Sequence, residues 1–95
     1  MVVFKLNKLG ELEWAYQIGE GNQVRSKTAI ETSTGDYIAV MANQVTSRYT
    51  DVVKFTANGD IVWAGRIGAS SGDDYPQDMV ETNDGGVLIA SYTFN

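Results

Sequence analysis

An internal repeat limits what this chain can fold into more than any other feature of its sequence. Residues 3–19 recur as residues 52–68, an offset of 49, and seven of the 17 aligned positions are identical. Further along, residues 31–38 recur as residues 81–88, at an offset of 50. The sequence therefore consists of two related units of about 50 residues, with a one-residue insertion in the second.

The apolar residues of each unit alternate with polar ones, which indicates strands rather than helices. Leu12, Trp14 and Tyr16 fall on one face of such a strand, and Glu13 and Gln17 fall on the other. The pattern predicts eight short strands, at residues 2–7, 11–18, 25–33, 37–43, 51–56, 60–67, 76–82 and 86–93.

Glycines and other turn residues separate these strands in pairs. Gly10 and Gly59 stand where a short hairpin needs a positive φ. Residues 34–36 and 83–86 are rich in Gly, Asp and Asn, which tolerate the same conformation. Each unit is therefore predicted to form two hairpins.

Short antiparallel strands at regular spacing with a period near 50 favour an all-β propeller, in which each blade is a four-stranded antiparallel sheet. The alternative is an eight-stranded sandwich or barrel made by duplication. A sandwich does not need the same Gly-acidic-aliphatic-x-Trp hairpin twice in register, so we favour the propeller. Residues 1–95 then form a single propeller segment, with repeat 1 at about 2–50 and repeat 2 at about 51–95.

Two hairpins of the sequence resemble a known repeat. Residues 10–14 and 59–63 resemble the G-x-x-x-W hairpin of the bacterial seven-bladed-type propeller repeat and, more distantly, of pyrroloquinoline-quinone-type propeller repeats. Residues 51–63, 72–75 and 81–86 are similar to further parts of the same family pattern. The first unit departs from it at residues 22–24 and at the single glycine of residues 35–36.

The resemblance implies blades whose strands run A to D from the channel to the rim. Residues 2–18 then form a C–D half blade, about 25–67 a whole blade, and 76–93 an A–B half blade. Many family members occur in the bacterial envelope or outside the cell, and no catalytic residue carries over. An excised or engineered piece of a longer repeat protein would also end within blades.

Two blades cannot close a ring, because a propeller needs about four to eight. We therefore expect head-to-tail homo-oligomers, and we favour a trimer slightly over a tetramer because six blades need fewer chains. Two sets of residues follow from this interpretation. The expected blade core contains Trp14, Trp63, Phe55 and Ile67, and the expected oligomer interface contains Phe4, Leu6, Leu88, Ile89 and Tyr92.

The amino-acid composition excludes several classes of catalytic site, metal site and partner. The absence of His and Cys removes zinc and iron–sulfur ligation, thiol catalysis and imidazole acid–base chemistry within one chain, and no cofactor is expected. A net charge of −5 argues against a nucleic-acid partner. The apolar start, residues 1–4, is too short for a signal peptide or a membrane span.

The longer loops, at residues 19–24, 44–50 and 68–75, are where a ligand would bind, since binding residues often lie on loops of a rigid scaffold. The candidate ligand-binding residues there are Arg25, Arg48, Tyr49, Asp73, Asp74 and Tyr75. Carboxylates suit Ca²⁺, but the spacing of Asp73, Asp74 and Asp78 is not that of a calcium-binding loop, so no metal site is expected.

The leading functional hypothesis is a non-enzymatic propeller module that assembles with itself and acts as a structural or interaction scaffold. The alternative is a lectin-like ligand-binding module that uses the long-loop face, with a glycan or a protein as its unidentified ligand. An enzyme that uses only carboxylates ranks last, because nothing in the sequence places two of them across a bond.

Overall fold

The structure is a computed structural model that describes residues 2–17, 24–43, 49–68 and 73–94. At residues 24–26, 73–74 and 93–94 the description covers the backbone only. The described chain is all-β, as the alternation of apolar residues predicts. No helix in those four stretches is long and apolar enough to cross a membrane.

Eight strands follow one another along the chain. They are β1 (Val2–Leu6), β2 (Leu12–Gln17), β3 (Val24–Glu31), β4 (Tyr37–Asn43), β5 (Tyr49–Phe55), β6 (Ile61–Ile67), β7 (Asp73–Glu81) and β8 (Val87–Phe94).

These strands form three antiparallel sheets. β1 and β2 make an N-terminal hairpin, β3-β4-β5-β6 make a four-stranded central sheet, and β7 and β8 make a C-terminal hairpin. The central sheet spans Val24 to Ile67, in agreement with the four-stranded unit expected at about 25–67.

Two strands begin two or three residues earlier than predicted. β5 begins at Tyr49 instead of residue 51, and β7 begins at Asp73 instead of residue 76. In both cases a partner strand continues the pairing further than the local pattern suggests, with Tyr49 opposite Asn43 and Asp73 opposite Phe94. Tyr49, Asp73, Asp74 and Tyr75 therefore lie in strands and not in loops.

The sheets repeat in register as well as in sequence. The N-terminal hairpin pairs Lys5 with Trp14, and β5–β6 pair Lys54 with Trp63, each with a register shift at the next residue. The C-terminal hairpin likewise reproduces β3–β4, with shifts at residues 76–78 and 26–28. The terminal hairpins are thus structural copies of the two halves of the central sheet.

The tight turn of each hairpin is built in the same way. Gly10, Gly35, Gly59 and Gly85 have φ between 82° and 91°, as hairpins of this kind require. Each glycine N–H donates to the carbonyl three residues earlier, at 3.0 or 3.1 Å. The residue that provides this carbonyl is Asn7, Thr32, Thr56 or Thr82.

One face of the central sheet packs against the N-terminal hairpin. Its buried cluster contains Ala39, Met41, Val53 and Phe55, and Val3 and Trp14 pack against it. Phe55 is 0% exposed, so this expected core residue is buried within the single chain.

The opposite face of the central sheet packs against the C-terminal hairpin. Its buried cluster contains Ile38, Val40 and Val52 of the central sheet and Met79 of β7, with Ile30, Val87 and Ile89 packed against it. Among strands of different sheets, β3 and β7 have the most extensive contact. Every residue of β6 is exposed. The two sheets therefore lie closest at β3 and leave β6 uncovered.

Candidate functional site

The candidate ligand-binding residues do not form one described cluster. Arg48 lies outside the described residues, and only the backbone of Arg25, Asp73 and Asp74 is described. The Tyr49 ring lies 5.1 Å from the Arg66 guanidinium carbon, and the Tyr75 ring stacks on Tyr92 with centroids 4.9 Å apart. These two ring contacts therefore lie in different sheets.

Asp51 is the centre of a polar cluster that the sequence did not suggest. Its Oδ1 accepts from Nε of Arg66 at 2.8 Å, and its Oδ2 accepts from Arg66 at 3.1 Å and from the Asn43 amide at 2.9 Å. The hydrogen bond to Asp51, and then the charge of Asp51, raise the pKa of Arg66 above its ordinary value. This cluster ties β4, β5 and β6 together, and its groups are occupied with each other.

No three acidic side chains in the part of the chain whose side chains are described come together as metal ligands. The expectation about Asp73, Asp74 and Asp78 concerns side chains that are only partly described, and it stays a prediction.

Two open apolar clefts lie beside the terminal hairpins. The β6–β8 cleft, of about 370 Å³, lies between the exposed strand of the central sheet and the C-terminal hairpin. Its walls are Val52, Trp63, Gly65, Ile67, Gly85, Gly86, Val87 and Ile89. Trp63 is 41% exposed and Ile67 is 59% exposed, so their burial in a blade core stays a prediction that requires a further layer.

The β1–β3 cleft, of about 250 Å³, lies on the other side of the central sheet. It is lined by Val2, Val3, Phe4, Lys27, Thr28, Ala29 and Ala39. Phe4 is 64% exposed at its edge. Each cleft therefore adjoins one terminal hairpin.

Most of the expected interface residues are exposed in the single chain. Phe4, Leu6, Leu88 and Tyr92 are all exposed, with Leu88 at 63%. Ile89 differs, because it packs on the buried cluster that contains Val40 and Met79. The opposite face of the C-terminal hairpin carries exposed Val80 and Leu88.

The two tryptophans occupy equivalent positions in different surroundings. The Trp14 ring lies 5.4 Å from Phe55 and 6.1 Å from Tyr37, and its Nε1–H donates to the carbonyl of Ala57 at 2.9 Å. Trp63 instead forms part of the wall of the β6–β8 cleft. The order of the strands in the sequence is a signal for this difference. β5 and the turn after it, which provide Phe55 and Ala57, follow Trp14 in the chain. The described strands that follow Trp63 are β7 and β8, which repeat β3–β4 and not β5–β6.

Comparison with protein-family models, with curated proteins and with solved structures gives no match for this chain.

Proposed function

We propose that this chain is a non-enzymatic β-propeller module that assembles head to tail with copies of itself into a closed ring and serves as a structural or interaction scaffold. One observation carries the proposal. The N-terminal hairpin repeats β5–β6 and the C-terminal hairpin repeats β3–β4, down to the positions of the register shifts. Together, the C-terminal hairpin of one copy and the N-terminal hairpin of the next contain every strand of a second four-stranded sheet.

The free strand edges support this pairing. In the described chain, β8 pairs only with β7 and β1 pairs only with β2. An open edge beside exposed apolar side chains favours aggregation unless another strand covers it. Pairing β8 with β1 of the next copy covers both edges in one contact. Such a contact is heterologous, and it closes into a ring when the rotation between copies permits.

The pairing of β4 with β5 supports a specific register for this junction. Val40 lies opposite Val52 in the central sheet. Their repeat equivalents are Ala90 and Val3, so we expect Ala90 of one copy to lie opposite Val3 of the next. By the same mapping, we expect Leu88 to lie opposite Lys5.

The packing of the three sheets supports the propeller over a sandwich. Both faces of the central sheet bury apolar clusters against neighbouring hairpins. A sheet of a two-layer sandwich buries one face and exposes the other, whereas a propeller blade packs on both sides. The close contact of β3 with β7 and the exposure of β6 match blades that diverge from the channel to the rim.

Light scattering coupled to gel filtration tests the assembly. We expect a single species with about three times the chain mass of 10.4 kDa, or four times in the tetramer. A folded monomer at micromolar concentration contradicts the proposal.

Disulfide trapping tests the register, because the chain contains no cysteine. The double variant Val3→Cys with Ala90→Cys places two thiols on directly opposite residues, within the Cα separation of about 4.4–6.8 Å that a disulfide needs. Oxidation is expected to give a covalent ring whose mass counts the copies. The control Val3→Cys with Leu88→Cys is two residues out of register and is expected to cross-link poorly. Equal cross-linking of the two pairs contradicts the register.

A further inference from the structure

We propose that Trp63 docks on the N-terminal hairpin of a second copy, in a seat between Leu6 and Gly10. This inference rests on the head-to-tail assembly proposed above and specifies the side-chain contact that makes it. The chain itself contains the template, because Trp14 occupies the equivalent seat within a single copy.

The seat of Trp14 has three parts. The Phe55 ring packs against the indole at 5.4 Å, and the Ala57 carbonyl accepts its N–H at 2.9 Å. Gly59 forms the third part, since a Cβ added there would lie 2.8 Å from Cγ and Cδ2 of Trp14. No side chain larger than that of glycine fits at this position without moving the indole.

The same three parts recur in the N-terminal hairpin. The repeat equivalents of Phe55, Ala57 and Gly59 are Leu6, Lys8 and Gly10. Leu6 is 51% exposed, and a Cβ built on Gly10 would meet nothing within 4 Å. The turn geometry is also the same, with φ of 82° at Gly10 and 91° at Gly59. An apolar residue, a carbonyl and a glycine therefore form an open seat in the single chain.

One copy cannot bring Trp63 into its own seat. The N-terminal hairpin packs on the face of the central sheet that carries Phe55. Trp63 lies in the β6–β8 cleft, on the face that carries Val52. The central sheet separates the indole from the seat, so a second copy must supply the seat.

The remaining wall of the β6–β8 cleft fits this occupant. Trp14 also contacts Tyr37, with ring centroids 6.1 Å apart. The repeat equivalent of Tyr37 is Val87, and Val87 lines the cleft beside Trp63. If β1 of the next copy pairs with β8, its Phe4 and Leu6 would fill this space. Their repeat equivalents, Val53 and Phe55, belong to the buried cluster against which Trp14 packs.

A pair of adjacent substitutions tests the docking. Trp63→Glu puts a charge in the proposed contact. Val62→Glu puts the same charge on the opposite face of β6, where the equivalent residue of the first repeat is already Glu13. We expect Val62→Glu to retain the assembled mass and Trp63→Glu to raise the dissociation constant about thirtyfold or more, as for the loss of a central interface anchor. Circular dichroism checks that both variants fold.

If Trp63→Glu does not fold, fluorine NMR of the wild-type chain labelled with 5-fluorotryptophan tests the docking instead. The chain has two tryptophans, and Trp63→Phe assigns their resonances. In the assembly both resonances are expected to be shielded from a soluble paramagnetic probe, and on dissociation Trp63 is expected to lose its shielding.

The outcomes separate the two proposals. A monomeric wild-type chain overturns the assembly and the docking together. An assembled chain in which Trp63 stays open to the probe, or in which Trp63→Glu folds and assembles as well as Val62→Glu, overturns the docking and leaves the assembly in place.

Discussion

The backbone N–H of Ser33 donates a hydrogen bond of 2.9 Å to Oε1 of Glu81, 48 residues further along the chain. This bond links the first turn of the central sheet to the end of β7. The repeat equivalents of Ser33 and Glu81 are Asn83 and Glu31, and both are exposed in the single chain. In the proposed ring, Glu31 would accept from the N–H of Asn83 in the preceding copy.

Removal of the Glu31 carboxylate should therefore weaken association more than folding. A hydrogen bond of this kind contributes about 1 kcal/mol. Glu31→Ala is then expected to raise the dissociation constant about fivefold, and Glu81→Ala to lower the free energy of unfolding by a similar energy. Analytical ultracentrifugation and urea unfolding measure the two effects. Glu31→Gln, which keeps a side-chain oxygen acceptor, should behave more like the wild type, and an equal loss in both Glu31 variants would argue against the bond.

Substitution of Gly35 is expected to destabilise the fold through the backbone conformation of this residue, and not through a clash with its neighbours. A Cβ added there meets nothing within 4 Å, but its φ is +87°, which costs an L residue about 1–2 kcal/mol. Gly35→Ala should therefore lower the free energy of unfolding by about that amount in urea titrations. In the dissociated chain Gly65 is the matched control, since its Cβ position is also open there and it carries no positive φ. Equal effects of the two alanine variants would contradict this account.

Within the Asp51 cluster, removal of the Asp51 side chain should lower the free energy of unfolding more than removal of the Arg66 side chain. The Asp51 side chain is 14% exposed and that of Arg66 is 53% exposed. Asp51→Ala leaves the buried Asn43 amide and the Arg66 guanidinium without this acceptor, and is expected to cost about 2 kcal/mol of unfolding free energy. Arg66→Ala removes only a partly solvated pair and should cost about 0.5–1 kcal/mol. Thermal or chemical unfolding of both variants checks the order, and a larger loss from Arg66→Ala would reverse it.

Asp84 should make the last turn sensitive to acid. Hydrogen bonds from the Thr82 hydroxyl and from the Gly86 N–H lower the pKa of Asp84 below its usual value of 3.8. A carboxyl whose pKa is lower in the folded state stabilises the fold fully above the unfolded pKa, and this contribution disappears as the pH falls through the folded pKa. Wild type should exceed Asp84→Asn in unfolding free energy at neutral pH, and the difference should shrink in acid. A difference that grows as the pH falls would contradict the assignment.

The local pattern of apolar, polar and turn residues was sufficient to predict the strands and their order along the chain. Strand alternation around Trp14, and turn residues such as Gly10 and Gly59, depend on neighbours a few positions away, so the sequence predicts them directly. The starts of β5 and β7 were missed because pairing with Asn43 and Phe94 decides them. These partners lie on other strands, and the residues at 49 and 73 look like loop residues by composition.

The candidate site was less accessible to prediction. The seat of Trp14 brings together residues that are 43 positions apart in the sequence. Its acceptor is the backbone carbonyl of Ala57, and a backbone carbonyl cannot be recognised from the type of its side chain. The Asp51 cluster was missed because Asn43, Asp51 and Arg66 have no counterparts of the same type in the other repeat. The repeat therefore predicts the features that both units share, and it carries no signal for side chains that occur in one unit alone.

The common construction of the four tight turns has a practical consequence. The middle positions of these turns, at residues 8–9, 33–34, 57–58 and 83–84, sit in one backbone geometry and carry side chains that are largely exposed. A short recognition sequence grafted at one such position would be displayed again by every copy around the rotation axis of the proposed ring. Weak monovalent binding would then become tight through avidity, with a valency set by the number of copies.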